Sequence, residues 1–151
     1  MRLWHKDLIS VLPREQLVAQ WRELSAIAGA IQKNGTPNHI LVNFVTEYTW
    51  SHFVSYAKLV RDEMTKRGYR TSDKVWEKIC SVDDYSIITP EEDKELNTIF
   101  YDKMNDTYLT ICYYNLYEKY LCGGISRQEW DNICLKILDS LCIEIKNFYY
   151  S

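Results

Sequence analysis

The sequence predicts an all-α protein, and three kinds of pattern support that prediction. Apolar residues recur every three or four positions in several stretches, as they do on the buried face of a helix. Thr89–Glu92 and Ser126–Glu129 have the spacing of capping boxes, which start helices. Turn signals at Asn34–Pro37 and Gly123-Gly124 separate the periodic stretches. We therefore expect a compact single-domain helical bundle of about five helices over residues 1–151.

The first helix is predicted over Pro13–Lys33, with Pro13 at the first helical position. Its apolar face comprises Leu17, Val18, Trp21, Leu24, Ala28 and Ile31. Arg22 and Glu23 lie off this face, and the small residues Ala19 and Ala26 leave room for a ligand to approach. From residue type alone, an adjacent Arg and Glu on a helix usually form an exposed ion pair.

Further helices are predicted along the rest of the chain. Residues 38–47 carry a short apolar run and are predicted to form a short helix, and a second long helix is expected at roughly 49 to 67. A short helix is predicted around Val75–Ile79. The capping box at Thr89 predicts a helix whose apolar positions are Leu96, Ile99, Phe100 and Met104. Asn105–Thr107 then offers a break or a new helix start. The last helix follows Ser126, and its apolar positions are Trp130, Ile133, Ile137, Leu138, Leu141 and Ile145.

Composition and charge restrict the class of protein. The net charge is −3 and the pI is about 5.6, so any basic surface that holds nucleic acid must be local. Five cysteines without a CxxC pair predict buried free thiols in a reducing cytoplasm. They are Cys80, Cys112, Cys122, Cys134 and Cys142. No stretch has the length or apolarity of a signal peptide or membrane span, so we expect a cytoplasmic protein without membrane contact.

The remaining aromatic and histidine residues are interpreted as structural. The tyrosine-rich tail, which could stack on bases, is more typical of core residues with hydroxyls at the rim. Its tyrosines are Tyr113, Tyr114, Tyr117, Tyr120, Tyr149 and Tyr150. His39 and His52 have no second ligand at helical spacing, so no metal site is predicted.

A series of residues across the first helix carries the clearest indication of function. The series comprises Leu8, Ser10, Leu12, Leu17, Ala19, Arg22-Glu23-Leu24, Gly29-Ala30 and Lys33. It resembles, in the same order and without a gap, the pyrimidine-dimer DNA glycosylase/AP lyase family of the phage endonuclease V type. Looser matches are His52, Lys58-Leu59, Lys66–Tyr69 and Ile88–Glu92, and the opening MRLWH and Val42–Val45 are more similar to short bacterial members. The resemblance covers roughly residues 1 to 70 and implies an endonuclease V-like fold.

The resemblance implies a specific chemistry for the start of the chain. Enzymes of this family attack C1′ of a damaged nucleotide with the amino group of their first residue, form an imine and cut the strand by β-elimination. An α-amino group suits this role because its reference pKa, about 8, leaves a neutral fraction at physiological pH. By this resemblance Met1 is the nucleophile, retained because Arg2 is bulky, and Glu23 is the catalytic carboxylate. No metal or organic cofactor is implied.

The resemblance also implies a set of DNA contacts. Arg2 and Arg22 match arginines that hold phosphates around the lesion, a role that guanidinium geometry favours. Lys33 lies in the aligned series, Lys103 keeps a lysine on the later helix, and His5 either lines a damaged-base pocket or packs near the terminus. The expected partner is damaged double-stranded DNA, and a monomer is expected.

Several positions depart from the family pattern and leave a second interpretation open. Met1 stands in place of a threonine, and fitting Arg2 requires one extra residue before Leu8. Positively charged or titratable family residues are replaced by Gln16, Ala26 and Ile99. These changes and the acidic pI are compatible with a non-catalytic helical interaction protein that has kept the fold.

Overall fold

Five α-helices and two short 3-10 helices form the part of the chain that the computed structural model describes, residues 1–82 and 98–140. The α-helices are α1 (Arg14–Asn34), α2 (Trp50–Lys66), α3 (Asp73–Cys80), α4 (Asp106–Leu121) and α5 (Arg127–Ser140). The 3-10 helices span Lys6–Val11 and Asn43–Glu47. No strand occurs in these described ranges, and the all-α prediction is confirmed. No helix within them is long and apolar enough to span a bilayer.

Helix α2 packs against the largest number of described elements, namely α1, α3 and both 3-10 helices. Helix α1 packs against α2 and α3, while the 3-10 helix Lys6–Val11 packs against α2 and α5. Helix α4 packs on α5. The backbone of Leu3 and Trp4 is hydrogen-bonded to side chains of α1, α2 and α4, so the start of the chain lies among these three helices.

Helix α1 begins and ends one residue later than the sequence predicts. Pro13 is the N-cap residue, and its carbonyl accepts the first helical hydrogen bond from the Leu17 amide at 2.9 Å. Gly35 ends the helix with φ +76°, a left-handed conformation that favours glycine. One face of α1 is buried and comprises Leu17, Gln20, Trp21, Leu24, Ile27, Ala28 and Ile31.

On α4, three of the four tyrosines that the sequence predicts as structural pack in or against the core. Tyr113 is buried, and the rings of Tyr113, Tyr117 and Tyr120 lie 5.1–5.4 Å from that of Trp130 on α5. Tyr114 is 40% exposed at the edge of this group. Aromatic packing of this kind holds α4 against α5.

The helix predicted through Ile99, Phe100 and Met104 is wrong over residues 98–104, which form bends and turns. Phe100 has φ +49°, and its amide donates to the buried Nδ1 of His52 at 2.9 Å. The Phe100 ring packs against Phe44 and Tyr48 at centroid distances of 5.1 and 5.2 Å. These tertiary contacts outweigh the helical spacing, and the chain re-enters helix only where Asn105 caps α4 by accepting from the Tyr108 amide.

Two other expectations require correction. Residues 38–42 are irregular, and only Asn43–Glu47 forms a short 3-10 helix, because the turn set by His39 exposes Ile40 instead of burying it. Cys112 and Cys134 are buried as expected, but Cys80 and Cys122 are exposed because each lies at a helix end. All four thiols are free.

Some predicted features lie outside the described residues. They are the helix start at Thr89 and the positions Leu96, Leu141, Cys142, Ile145, Tyr149 and Tyr150.

The predicted capping box at Ser126 is present and also joins α5 to α1. The Ser126 amide donates to Glu129 Oε1 at 3.2 Å, and the Glu129 amide donates to Ser126 Oγ at 3.2 Å. Glu129 Oε2 accepts from the Arg14 amide at 3.1 Å, so one carboxylate satisfies the first turns of two helices. Burial alone would raise the pKa of Glu129, but hydrogen bonds from the backbone of Arg14 and Ser126 lower it.

We expect Glu129→Ala to lower the free energy of unfolding by about 1–2 kcal/mol, because it removes both caps. The matched control is Asp131→Ala, which removes an exposed pair with Arg127 and should cost less than about 0.5 kcal/mol. Urea unfolding measures both. Because the folded pKa of Glu129 is lowered, the difference in unfolding free energy between the two variants should shrink as pH falls through that pKa. A difference that did not change with pH would contradict the capping role of the Glu129 carboxylate.

Candidate active site

The beginning of the chain is held in place by backbone hydrogen bonds to three different helices. The Trp4 amide donates to Gln20 Oε1 of α1 at 2.8 Å. The hydroxyl of Tyr56 on α2 donates to the Trp4 carbonyl, and that of Tyr108 on α4 donates to the Leu3 carbonyl. Leu3 is fully buried and Trp4 is 7% exposed. The segment that leads to the amino terminus is therefore part of the folded core.

Gln20 joins this segment to Glu23. Its side chain is fully buried, and its Nε2 donates to the Arg2 carbonyl at 3.0 Å and to Glu23 Oε2 at 3.2 Å. Its Oε1 accepts from the Trp4 amide and lies 2.9 Å from the hydroxyl oxygen of Tyr56. One amide group therefore fixes the backbone just after Met1 relative to the Glu23 carboxylate.

The Glu23 carboxylate lies in an environment with opposing electrostatic effects. Burial raises its pKa, while the positive charges of the amino terminus and Arg22, a hydrogen bond from the Arg2 backbone and His39 lower it. Burial has the larger effect, so the pKa of Glu23 lies above its ordinary value. A carboxyl group shifted in this direction is better suited to exchange a proton near neutral pH.

The Arg2 side chain lies close to Trp4 and to two residues of α4. Its guanidinium lies 5.7 Å from the centre of the Trp4 ring. Burial raises the pKa of the Tyr108 hydroxyl and of the Cys112 thiol, and the neighbouring Arg2 opposes both shifts by its charge and hydrogen bonding. The Arg2 side chain therefore lies near Tyr108 and Cys112 of α4.

A cleft of about 940 Å³ opens beside these groups. Among the described residues that line it, the positive groups are the amino terminus of Met1, Arg2, Arg14, Arg22 and Lys119. The negative groups are Glu15, Glu23 and Glu129. Five positive groups against three carboxylates make the cleft locally basic in a chain whose net charge is −3. An anionic ligand is therefore attracted to this face.

One polar atom in the cleft wall lacks a partner. Gln16 Oε1 is the buried side-chain oxygen or nitrogen that makes no hydrogen bond within the described residues, and Gln16 lines the cleft. A buried acceptor without a partner is costly, so a ligand donor that reached it would be favoured. Gln16 is one of the positions at which the sequence departs from the family pattern.

The structure brings together four of the seven predicted site residues. Met1, Arg2, Arg22 and Glu23 all line the cleft, with Met1 46% and Arg22 largely exposed. The other three, His5, Lys33 and Lys103, do not line it.

The three remaining residues have other surroundings. His5 is 2% exposed, accepts from the Asp7 amide at 3.1 Å and has its pKa lowered by burial, so its imidazole is a core group and not a wall of a base pocket. Lys33 is exposed ten residues beyond Glu23 on α1, about 15 Å along the helix. Lys103 packs over the rings of Phe44 and Tyr108 at 5.3 and 4.9 Å.

Sequence reasoning missed the residues that assemble the site. Gln20 had a detectable signal, since it lies among the buried positions of α1, where a polar side chain needs internal partners. Lys119 and Glu129 come from α4 and α5, and no local pattern connects them to α1. Within the described residues, no three His, Cys, Asp or Glu side chains gather as a metal site would require.

Comparison with known proteins assigns the first half of the chain to a family. Residues 1–77, which contain α1, α2 and most of α3, match the family model described as pyrimidine dimer DNA glycosylase. No curated protein and no solved structure matches the chain.

Proposed function

The chain belongs to the pyrimidine dimer DNA glycosylase family, and we propose that it removes damaged bases from DNA and cuts the strand through an imine formed with the amino group of Met1. The observation that carries this proposal is the Gln20 bridge, which fixes the backbone next to Met1 against the Glu23 carboxylate. An amine and a carboxylate held together in a basic cleft meet the requirements of such chemistry.

The proposed reaction starts with attack of the neutral Met1 amine on C1′ of the damaged nucleotide. The nitrogen–C1′ bond forms, the bond from C1′ to the nucleobase breaks, and the nucleobase leaves with that electron pair and takes up a proton from solvent water. The nitrogen lone pair then opens the sugar ring, giving a protonated imine and a ring-oxygen hydroxyl. Glu23 accepts a proton from the attacking amine and returns one to the ring oxygen.

Strand cleavage follows by β-elimination. A proton acceptor removes a proton from C2′ of the imine. The electron pair of the broken C–H bond expels the 3′ phosphate, which breaks the strand. The imine delocalises the negative charge that develops at C2′, so this step requires no further cofactor. Hydrolysis of the imine then releases Met1.

Access to C1′ requires a distorted duplex. Either the damaged base or its partner must leave the stack to admit the amine to the sugar. Arg2 and Arg22 are proposed to hold the phosphates on either side, because guanidinium groups bind phosphate oxygens in pairs. The basic cleft accounts for DNA binding by a protein with an acidic pI.

Borohydride reduction tests the proposal. Duplex DNA with an abasic site is incubated with the protein and sodium borohydride, which reduces an imine to a stable covalent adduct visible as a shifted band on a denaturing gel. The expected result is an adduct, together with strand cleavage when the reductant is omitted. DNA binding without any adduct would favour the second candidate, a non-catalytic interaction protein. This candidate is supported by the net charge of −3 and by the replacement of basic family residues by Gln16, Ala26 and Ile99.

We expect Arg22→Ala to weaken binding to damaged duplex and to lower the slope of log K against log salt by about 1, because it removes one phosphate contact. The matched control is Arg70→Ala, since Arg70 is exposed and does not line the cleft. Binding measured by fluorescence anisotropy at salt concentrations between about 50 and 200 mM gives the slope. Equal slopes for both variants would remove Arg22 from the proposed phosphate contacts.

A further inference from the structure

The segment between α1 and the second 3-10 helix displays two adjacent aliphatic side chains to solvent. Ile40 is 88% exposed and Leu41 is 42% exposed. The neighbouring Val42 is fully buried, so side-chain exposure falls from 88% at Ile40 to zero at Val42. An aliphatic pair displayed in this way loses contact with water when it meets an apolar surface.

The shape of this segment is fixed by its own hydrogen bonds. The His39 carbonyl accepts from the Val42 and Asn43 amides at 3.0 and 2.9 Å, and the His39 amide donates to Asn43 Oδ1 at 2.8 Å. His39 Nδ1 accepts from the Leu41 amide at 3.3 Å. Ile40 and Leu41 are therefore presented on a preformed turn, so little ordering is needed when they contact a ligand.

The turn lies at the edge of the basic cleft. Leu41 lines the same cleft as Met1, Arg22 and Glu23. His39 is also close enough for its charge to act on Glu23. The aliphatic pair is thus continuous with the surface proposed to bind the sugar and phosphates.

We propose that Ile40 and Leu41 form an apolar wedge that packs on the base faces left unstacked when a nucleotide leaves the duplex at the lesion. This inference rests on the proposed function, since it assumes that damaged DNA occupies the cleft. The positive groups of the cleft can bind phosphates, but an aliphatic side chain gains no favourable contact from a phosphate. The face of an unstacked base is apolar and can pack against such a side chain. Insertion of Ile or Leu between base steps is a known means of stabilising an opened or kinked duplex.

The wedge predicts different losses on intact and on already opened DNA. The double variant Ile40→Ser/Leu41→Ser should slow borohydride trapping on a duplex with an abasic site by about tenfold or more, because the opened duplex loses its support. On a single-stranded abasic oligonucleotide, where no stack must be opened, we expect less than about a threefold change. Fluorescence of 2-aminopurine beside the site should rise on binding the wild type and rise less with the variant.

The matched control is Leu135→Ser, which removes a leucine that is 58% exposed on α5 and does not line the cleft. Thermal melting should be alike for wild type, control and double variant, and the single variant Ile40→Ser provides a milder change. A double variant that traps intact duplex as fast as Leu135→Ser would overturn the wedge. Equal losses of trapping rate on both DNAs would also overturn it. The same holds if sedimentation shows a dimer for the wild type and a monomer for the double variant, because the two side chains would then form a contact between copies of the chain.

Failure of the wedge and failure of the proposed function give different results. If the wild type forms no adduct on either DNA, the proposed function fails and the wedge fails with it. If the wild type is trapped on both DNAs but the double variant shows no selective loss on duplex, only the wedge fails.

Discussion

Glu23→Gln is expected to lower the single-turnover rate of strand cleavage at an abasic site by about 10²- to 10⁴-fold. The amide has nearly the shape of the carboxylate but neither accepts nor returns a proton, so proton transfer to and from the amine and sugar is lost. Binding to the same DNA should change by less than about threefold, because the cationic groups of the cleft remain. Rapid-quench kinetics and fluorescence anisotropy measure the two quantities.

Stability provides the control for this variant. Burial raises the folded pKa of Glu23, so the folded state binds a proton more tightly than the unfolded state, and the carboxylate costs stability as pH rises through that pKa. We therefore expect Glu23→Gln to be more stable than the wild type above the folded pKa, with a gap that closes at acid pH. Loss of both DNA binding and stability would indicate misfolding and would remove the support for an acid–base role.

Gln20→Ala is expected to slow imine formation by about 10²-fold or more, since displacement of reacting groups by about 1 Å has effects of that size. The variant leaves the Trp4 amide and the Arg2 carbonyl without their side-chain partner and releases the amino-terminal segment from Glu23. Each buried polar group without a partner costs about 1–3 kcal/mol, so the melting temperature should fall as well. The rate of borohydride trapping, measured well below the melting temperature, reports the positioning effect.

Two further variants separate positioning from general stability. Gln32→Ala changes an exposed glutamine on the same helix and should leave trapping and melting unchanged. Gln20→Glu keeps an oxygen for the Trp4 amide but puts a second oxygen against Glu23, and the added negative charge should raise the pKa of Glu23 further. The pH dependence of trapping should then shift to higher pH. A wild-type pH profile in Gln20→Glu, with full trapping rates in Gln20→Ala, would reduce Gln20 to a packing role.

Local patterns predicted the helices that local interactions determine. Helix α1 shows this clearly, because Pro13, a regular apolar stripe and Gly35 define its start, its buried face and its end. The capping box of Ser126 and Glu129 similarly predicted the start of α5. In these cases the residues that specify the element lie within it, so the sequence contains the necessary information.

Where the sequence pattern predicted the wrong local structure, tertiary contacts determine the conformation of the chain. Phe100 has the spacing of a helical core residue, yet its amide bonds to His52, 48 positions earlier, and the backbone follows that contact. Ile40 and Leu41 belong to an apolar run that suggests burial, but the hydrogen bonds of His39 turn them outward. No local spacing reveals either arrangement.

The candidate site shows the same division. Arg22 and Glu23 were identified through a resemblance confined to the first part of the chain, and the family match to residues 1–77 agrees with it. The buried Gln20 bridge, the Tyr108 contact and the contribution of Lys119 depend on helices that meet only in the fold. The side chains that hold the amino-terminal segment come from α1, α2 and α4, and among them only the buried Gln20 has a signal in the sequence.

The most direct test of the central claim is to identify the nitrogen atom that bonds to the sugar. The adduct trapped with borohydride on abasic DNA is digested with protease and nuclease, and tandem mass spectrometry locates the nucleotide remnant on the peptide. The account predicts the remnant on the α-nitrogen of Met1, and chemical acetylation of that nitrogen should abolish trapping. A remnant on the side chain of Lys119, the lysine among the described residues that line the cleft, would contradict it.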